Sequence, residues 1–236
     1  GQFKQPAHVA IDAIGNIFVC DSENNRIQKF TSAGIYVSQF GLFGSTNGKL
    51  KLPTRIAIDA NGDIFVCDSD NTRIQKFNSS GIYVSQFGSA GTGDGQFGSI
   101  NGIAINANGA IYVADMGNNR IQIFGEPPIF NAGTVPSTTS FISKFGSFGT
   151  ANGQFKNPYG INLDSTGNIY VADATNQRIQ KFTSAGTYIS QFGSFGTGDG
   201  QFKQPAHVAI DAIGNIYVVD SNNKRIQKFD STGNYL

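Results

Sequence analysis

A unit of 47 residues recurs along this chain, and nothing else in it constrains the fold as strongly. The tripeptide Gly1-Gln2-Phe3 returns as Gly48-Lys49-Leu50, Gly95-Gln96-Phe97, Gly153-Gln154-Phe155 and Gly200-Gln201-Phe202. Each time the same succession of apolar runs and turn residues follows, and the five copies fill all 236 residues. A self-similar unit of about 40–50 residues made of short strands cannot bury its faces alone; stacked around an axis, such units form a β-propeller. The spacing predicts a single all-β propeller domain over 1–236, with five four-stranded blades at 1–47, 48–94, 95–152, 153–199 and 200–236.

One copy shows how the strands arise. Ala7-His8-Val9-Ala10-Ile11-Asp12 is a near-continuous apolar run, as expected of a first strand packed on both faces. After the turn Ala13-Ile14-Gly15, the segment Asn16 to Asp21 is rich in β-branched and aromatic residues and reads as a second strand. Arg26 to Phe30 and Ile35 to Phe40 alternate polar and apolar side chains, as half-exposed strands do. Pro6, Pro53, Pro158 and Pro205 precede the first strands, where a missing amide costs little and a fixed φ sets the entry angle; the third copy lacks this proline. The third copy also carries an insertion of eleven residues within Gly125–Ser140, between its third and fourth strands, which reads as a tolerated surface loop, with a docking loop as the alternative.

A residue the blade itself demands must appear in every blade, whereas a residue demanded by one ligand need appear only once. Asp21, Asp68, Asp115, Asp173 and Asp220 end the second strands, and Arg26, Arg73, Arg120, Arg178 and Arg225 open the third strands five residues later. With Asn24, Asn71, Asn118, Asn176 and Asn223 between them, they read as a structural hairpin set. The carboxylate accepts loop amides and the guanidinium, while Asn takes the left-handed turn conformation. The alternative is a binding surface of acids and guanidiniums. Asp12, Asp59, Asp164 and Asp211 precede turns that lack the glycine and terminal acid of a calcium loop, and so read as Asx-stabilised hairpin turns.

The blade motif resembles the NHL repeat. The likeness is plain in Gly167-Asn168-Ile169-Tyr170-Val171-Ala172-Asp173 and in Asn176-Gln177-Arg178-Ile179-Gln180-Lys181-Phe182, and it extends over the whole chain. It implies a propeller that serves as a protein-, RNA- or glycan-binding platform, a sensor, or occasionally a lyase or hydrolase. Such propellers commonly close with six blades, and here five copies are present. Two solutions stay open: a five-bladed ring, which is the reading adopted, or a share in a larger ring or assembly. Self-association through an incomplete last blade belongs to the second. Residues 1–17 are identical to 200–216, the mark of a recent duplication or deliberate construction.

Composition narrows function only by exclusion. With 17 basic and 16 acidic residues the net charge is +1, which gives no long-range field to gather nucleic acid. An RNA platform would need Lys4, Lys51, Lys156 and Lys203 to converge. Charged residues make up 14% of the chain, a level common in extracellular and cell-surface modules, and no apolar run is long enough for membrane insertion. Cys20 and Cys67 share a slot that holds Ala114, Ala172 and Val219 in the other copies; neighbouring blades set them too far apart for a disulfide, so both read as buried thiols.

Candidate ligand-binding residues are those at the start of the first strand, by the channel mouth, where the copies disagree: His8, Arg55, Asn101, Tyr159 and His207. His8 and His207 are the only histidines; two imidazoles fall short of the three protein ligands a catalytic zinc keeps, so no metal, cofactor or catalytic residue is assigned. The sequence reading is a non-catalytic interaction scaffold for a protein or glycan partner, with a hydrolase- or lyase-like enzyme at the channel mouth, or an RNA platform, as alternatives.

Overall fold

The computed structural model describes residues 2–125 and 139–236. Most of the inserted loop, 126–138, and with it the docking-loop reading, lies outside the described residues. The fold is an all-β, five-blade propeller arrangement of antiparallel sheets. In the second blade the strands Pro53–Ile58, Ile64–Asp68, Arg73–Phe77 and Tyr83–Phe87 pair in chain order, with Ile56 opposite Val66, Cys67 opposite Ile74 and Gln75 opposite Gln86. The first blade (Pro6–Ile11, Ile17–Asp21, Arg26–Phe30, Tyr36–Phe40) and the fourth (Pro158–Leu163, Ile169–Asp173, Arg178–Phe182, Tyr188–Phe192) repeat this plan. So does the third, with Ile100–Ile105, Ile111–Asp115, Arg120–Gly125 and Ser140–Phe145; Ile100 stands where the others have proline. The fifth sheet has three strands, Pro205–Ile210, Ile216–Asp220 and Arg225–Phe229, and a bridge between Phe229 and Tyr235 stands at the place of the fourth.

Chain contacts divide the molecule into two compact units, Gly1–Ile100 with Ala107–Ile111 and Phe124–Ile142, and Asn101–Asn106 with Tyr112–Ile123 and Ser143–Leu236. In the first unit, Phe18, Cys20 and Ile27 of one blade pack on Leu50, Ile56, Val66 and Phe77 of the next. The second unit repeats the joint, with Tyr170, Ala172 and Ile179 of the fourth blade against Phe202, Val208, Val218 and Phe229 of the fifth. Within each unit, the trailing face of the earlier blade therefore meets the leading face of the later one. Aromatic pairs lock the outer part of these joints: Phe40–Phe77 and Phe192–Phe229 have ring centroids 4.8 Å apart at tilts of 45° and 47°. Burying each large apolar side chain contributes about 1.5–3 kcal/mol, so the joints hold the blades together.

The glycine-rich connectors contain more order than a linker reading gives them. Ser194–Phe195 pairs in parallel with Gln201–Phe202, and Ser89–Ala90 with Gln96–Phe97, while Phe43 and Leu50, and Phe148 and Phe155, form single parallel bridges. The recurrent Gly-Gln-Phe signature thereby places Leu50, Phe97, Phe155 and Phe202 fully inside the core. Gly193, at φ +96°, has no room for a Cβ, which would overlap the Phe202 ring.

Candidate functional site

One edge of each blade gathers three features: the start of the first strand, the turn between second and third strands, and the incoming connector. The turn opens with Ser69–Asn71 as one turn of 3₁₀ helix and closes with Thr72 at φ 53°, after which Arg73 starts the third strand. Asp68 sits at the centre with no exposed surface. Its Oδ1 accepts the Lys51 amide at 2.6 Å, and its Oδ2 accepts Arg73 Nε at 2.7 Å and Gln75 Nε2 at 2.9 Å. Asn71 Nδ2 donates to both carboxylate oxygens at 2.9 Å. The guanidinium continues to Gln86 Oε1 at 2.6 Å and to the Lys49 carbonyl at 3.0 Å, linking turn, connector and fourth strand. The same carboxylate-to-guanidinium bond, 2.7–2.9 Å, joins Asp21 to Arg26, Asp115 to Arg120, Asp173 to Arg178 and Asp220 to Arg225.

Two details of this edge differ from the sequence reading. The left-handed residue is not Asn24, Asn71, Asn118, Asn176 or Asn223 but its successor: Asn25, Thr72, Asn119, Gln177 and Lys224, at φ 53–59°. The asparagine is instead consumed as a donor to the carboxylate, because a 3₁₀ turn places it back over the strand end. The second detail is the glutamine two residues after the arginine. Gln28, Gln75, Gln122, Gln180 and Gln227 are buried and each donates to the same carboxylate. Burial pushes the Asp21 carboxyl up, but the Lys4 amide and the side chains of Asn24, Arg26 and Gln28 outweigh it and hold the group below the usual carboxylate range. Asp220 is held down in the same way by Lys203, Asn223 and Arg225.

The candidate ligand residues fall within each unit as follows. In the first unit the first strands of blades one and two run side by side, and Arg55 Nη1 reaches the Ala7 carbonyl, next to His8, at 3.5 Å. In the second unit Asn101, Tyr159 and His207 start consecutive first strands. Asn101 Nδ2 points to Met116 Sδ at 3.3 Å, and His207 Nδ1 lies 2.8 Å from its neighbour's carbonyl, Val208 O. The glycines at the histidine register, Gly102 and Gly160, answer to packing. A Cβ on Gly160 would lie 2.5 Å from the Ala206 carbonyl oxygen, and one on Gly102 would lie 2.6 Å from that of Tyr159. Entry to the first strand is unusual too: Gln5, Leu52, Asn157 and Gln204, each just before proline, have φ 48–57°. Leu52, Asn157 and Gln204 donate their amides across the joint to Asn25, Asn119 and Gln177.

Beside these strand starts, the connectors present bare aromatic rings. Phe148 and Phe195 are 68% and 69% exposed, Phe43 is exposed to the same degree, and the second connector has Ala90 at this place. Lys156 Nζ stands 5.4 Å from the Phe148 ring centre and Lys203 Nζ 5.8 Å from that of Phe195. Lys4 and Lys51 are paired with Glu23 at 3.1 Å and Asp70 at 3.7 Å. At the other end of the blades, Asp12 and Asp164 fold back on their own turns, taking the amides of Asn16 and Asn168 at 2.8 and 2.9 Å. Burial raises Asp164, yet the hydrogen bonds of Thr166 and Asn168 prevail and bring its pKa to about 2. Also in the first unit, a groove of about 360 Å³ opens among Asp59, Phe65, Lys76, Asn108, Ile111 and Ile142. No group of three or more His, Cys, Asp or Glu side chains gathers among the described residues, and none of their helices is long and apolar enough to cross a membrane. Cys20 and Cys67 are free and fully buried.

Sheets of this order, joined face to face and closed by one recurrent polar knot per blade, define a β-propeller built of NHL-type repeats. Over residues 46–125 and 152–236 the chain matches the model described as 6-bladed beta-propeller, and it belongs to that family. Residues 3–30 match the NHL repeat. A segment of 43 residues is 49% identical to the B-box type zinc finger protein ncl-1 of Caenorhabditis elegans; it is 18% of this chain and spans only 5% of that protein. Among solved structures, the chain is similar to a virginiamycin B lyase from Staphylococcus aureus crystallised with quinupristin. That match has a TM-score of 0.71 and 16% identity, and covers all of this chain and 70% of that one. It is similar also to a gluconolactonase from Xanthomonas campestris, with a TM-score of 0.61 and 14% identity, covering 90% of this chain and 68% of that one. Likeness at such identities shows the fold alone.

Proposed function

We propose that this NHL-type propeller is a non-catalytic binding scaffold, and that a protein or glycan partner docks on the edge formed by its first-strand starts and connectors. Asn101, Tyr159 and His207 supply the polar contacts of this edge in the second unit, and His8 and Arg55 supply those of the corresponding edge in the first. The observation that carries this reading is the pair of exposed rings, Phe148 and Phe195, held at equivalent places on ordered connectors beside those strand starts. An exposed aromatic ring on a rigid frame, with a lysine over one face, favours stacking of a sugar ring or an apolar side chain, because little conformational entropy is lost on contact. The recurrent charges support the same division of labour, since Asp173 and Arg178 saturate each other and their own blade.

Glycan arrays and displayed peptide libraries test the proposal. The chain should enrich one glycan or peptide class, and the double variant Phe148→Ser/Phe195→Ser should bind it at least about tenfold more weakly, a loss of about 1.4 kcal/mol. Turnover of a streptogramin B or a gluconolactone by the chain, abolished by His207→Ala, would overturn the non-catalytic reading. Binding that goes only to RNA and falls steeply with salt would overturn the partner class.

A further inference from the structure

The duplication of residues 1–17 as 200–216 places one sequence in two environments within the same molecule. The leading-face residues Phe202, Val208, Ile210, Ile216, Val218 and Phe229 of the fifth blade have the same identities as Phe3, Val9, Ile11, Ile17, Val19 and Phe30 of the first. In the fifth blade this surface is packed against Tyr170, Ala172 and Ile179 of the fourth, and Val208 is 0% exposed. In the first blade part of the same surface is open, with Val9 51% and Ile11 64% exposed, while Val19 is buried at 7%. The trailing faces show the converse. Ile27, Ile74, Ile121 and Ile179 are all 0% exposed, while their counterpart Ile226 is 68% exposed and the adjacent Val219 is also uncovered.

We propose that the trailing face of the fifth blade receives the leading face of the first blade of a second copy of this chain. The leading half of that joint already exists inside the molecule in assembled form, and the trailing half departs from the fourth blade's receiving residues at Val219, which stands where that blade has Ala172. The leading surface matches, residue for residue, one that seats on a trailing face, and Tyr217 and Ile226 repeat the Tyr170 and Ile179 that receive it. Polar contacts at the internal joints extend the match. Ser22 Oγ donates to the Pro53 carbonyl at 2.5 Å across one joint, and Ser69 Oγ donates to the Ile100 carbonyl at 3.3 Å across another. Ser221 occupies the corresponding place on the fifth blade and meets the Pro6 carbonyl of the second copy. Because the two surfaces differ, the contact is heterologous: each copy keeps one free face after pairing, and assembly continues until the geometry closes. This joint is distinct from the ligand edge and stands or falls independently of it.

Sedimentation velocity from low micromolar to near-millimolar concentration tests it. The unmodified chain should sediment faster as concentration rises. Val9→Asp and Ile226→Asp each place a carboxylate on an exposed position of one face, and each alone should remain monomeric. Mixed, the two variants should form a one-to-one dimer that grows no further, because only one intact joint can form between them. The variants Ile11→Lys and Val219→Lys provide the same pair if either aspartate variant fails to show the unmodified circular dichroism spectrum. A monomeric unmodified chain at every concentration, self-association that persists in either single variant, or a mixture that stays monomeric would each overturn the proposal.

Discussion

Arg73 Nε lies 2.7 Å from Asp68 Oδ2, and the carboxylate has no exposed surface at all. Removing the guanidinium therefore leaves a buried charge with its other donors intact but its counter-ion gone. Arg73→Ala should destabilise the chain by about 3–5 kcal/mol, and Arg26→Ala by less, because the Arg26 side chain is 23% exposed and water can replace part of it. Urea unfolding midpoints check the difference, and the double variant Asp68→Leu/Arg73→Met should cost less than the sum of the single changes.

Gly160 exists for space. Gly160→Ala forces a methyl against the Ala206 carbonyl at 2.5 Å, separating two first strands, and should cost about 1–3 kcal/mol. Gly109→Ala meets no atom within 4 Å and should cost about 1 kcal/mol through its φ of +80° alone. Thermal melting of the two variants separates crowding from backbone strain.

Acid should unfold the chain through its hydrogen-bonded carboxylates. The pKa of Asp164 falls from 3.8 to about 2 in the folded chain, so the unfolded state binds its proton first as pH drops. Its contribution is complete above the unfolded value and is lost as pH falls toward 2, and the depressed Asp21 and Asp220 act in the same direction. Stability followed by urea titration should decline below about pH 4, and Asp164→Asn should flatten that decline.

Burial drives the thiols of Cys20 and Cys67 strongly upward, away from the reactive thiolate. A thiol-reactive disulfide reagent should find neither in the native chain and both after denaturation. Cys67→Ala should cost at most about 1–2 kcal/mol, since Ala114 and Ala172 fill the same slot with no exposed surface.

Much of this architecture is readable from the repeat because the comparison of copies isolates residues by role. The five-residue step from Asp68 to Arg73 spans one hairpin, and strand pairing then sets the two ends opposite each other. Gln180 escapes such a reading: a glutamine in an alternating strand looks like surface, and only its presence in every copy marks it as part of the knot. The left-handed position is hidden for a different reason. It is filled by Asn, Thr, Gln or Lys, so no glycine signature points to Thr72 or Gln177. At the first-strand starts, sequence names the positions where copies differ, but Gly102 and Gly160 are fixed by a neighbour's carbonyl, a constraint visible only in three dimensions. The exposed Phe148 and Phe195 sit one bridge away from the buried Phe155 and Phe202, and the alternation of inward and outward rings emerges only once the connectors pair.

The central claim, that residues shared by all blades hold the frame while the exposed connector edge carries recognition, meets its most direct test in Arg178→Ala. Its melting temperature and its affinity for the ligand enriched on the arrays should be measured together. The account predicts a melting temperature lowered by several degrees with affinity at low temperature within about twofold of the unmodified chain. An unchanged melting temperature with binding abolished would contradict it.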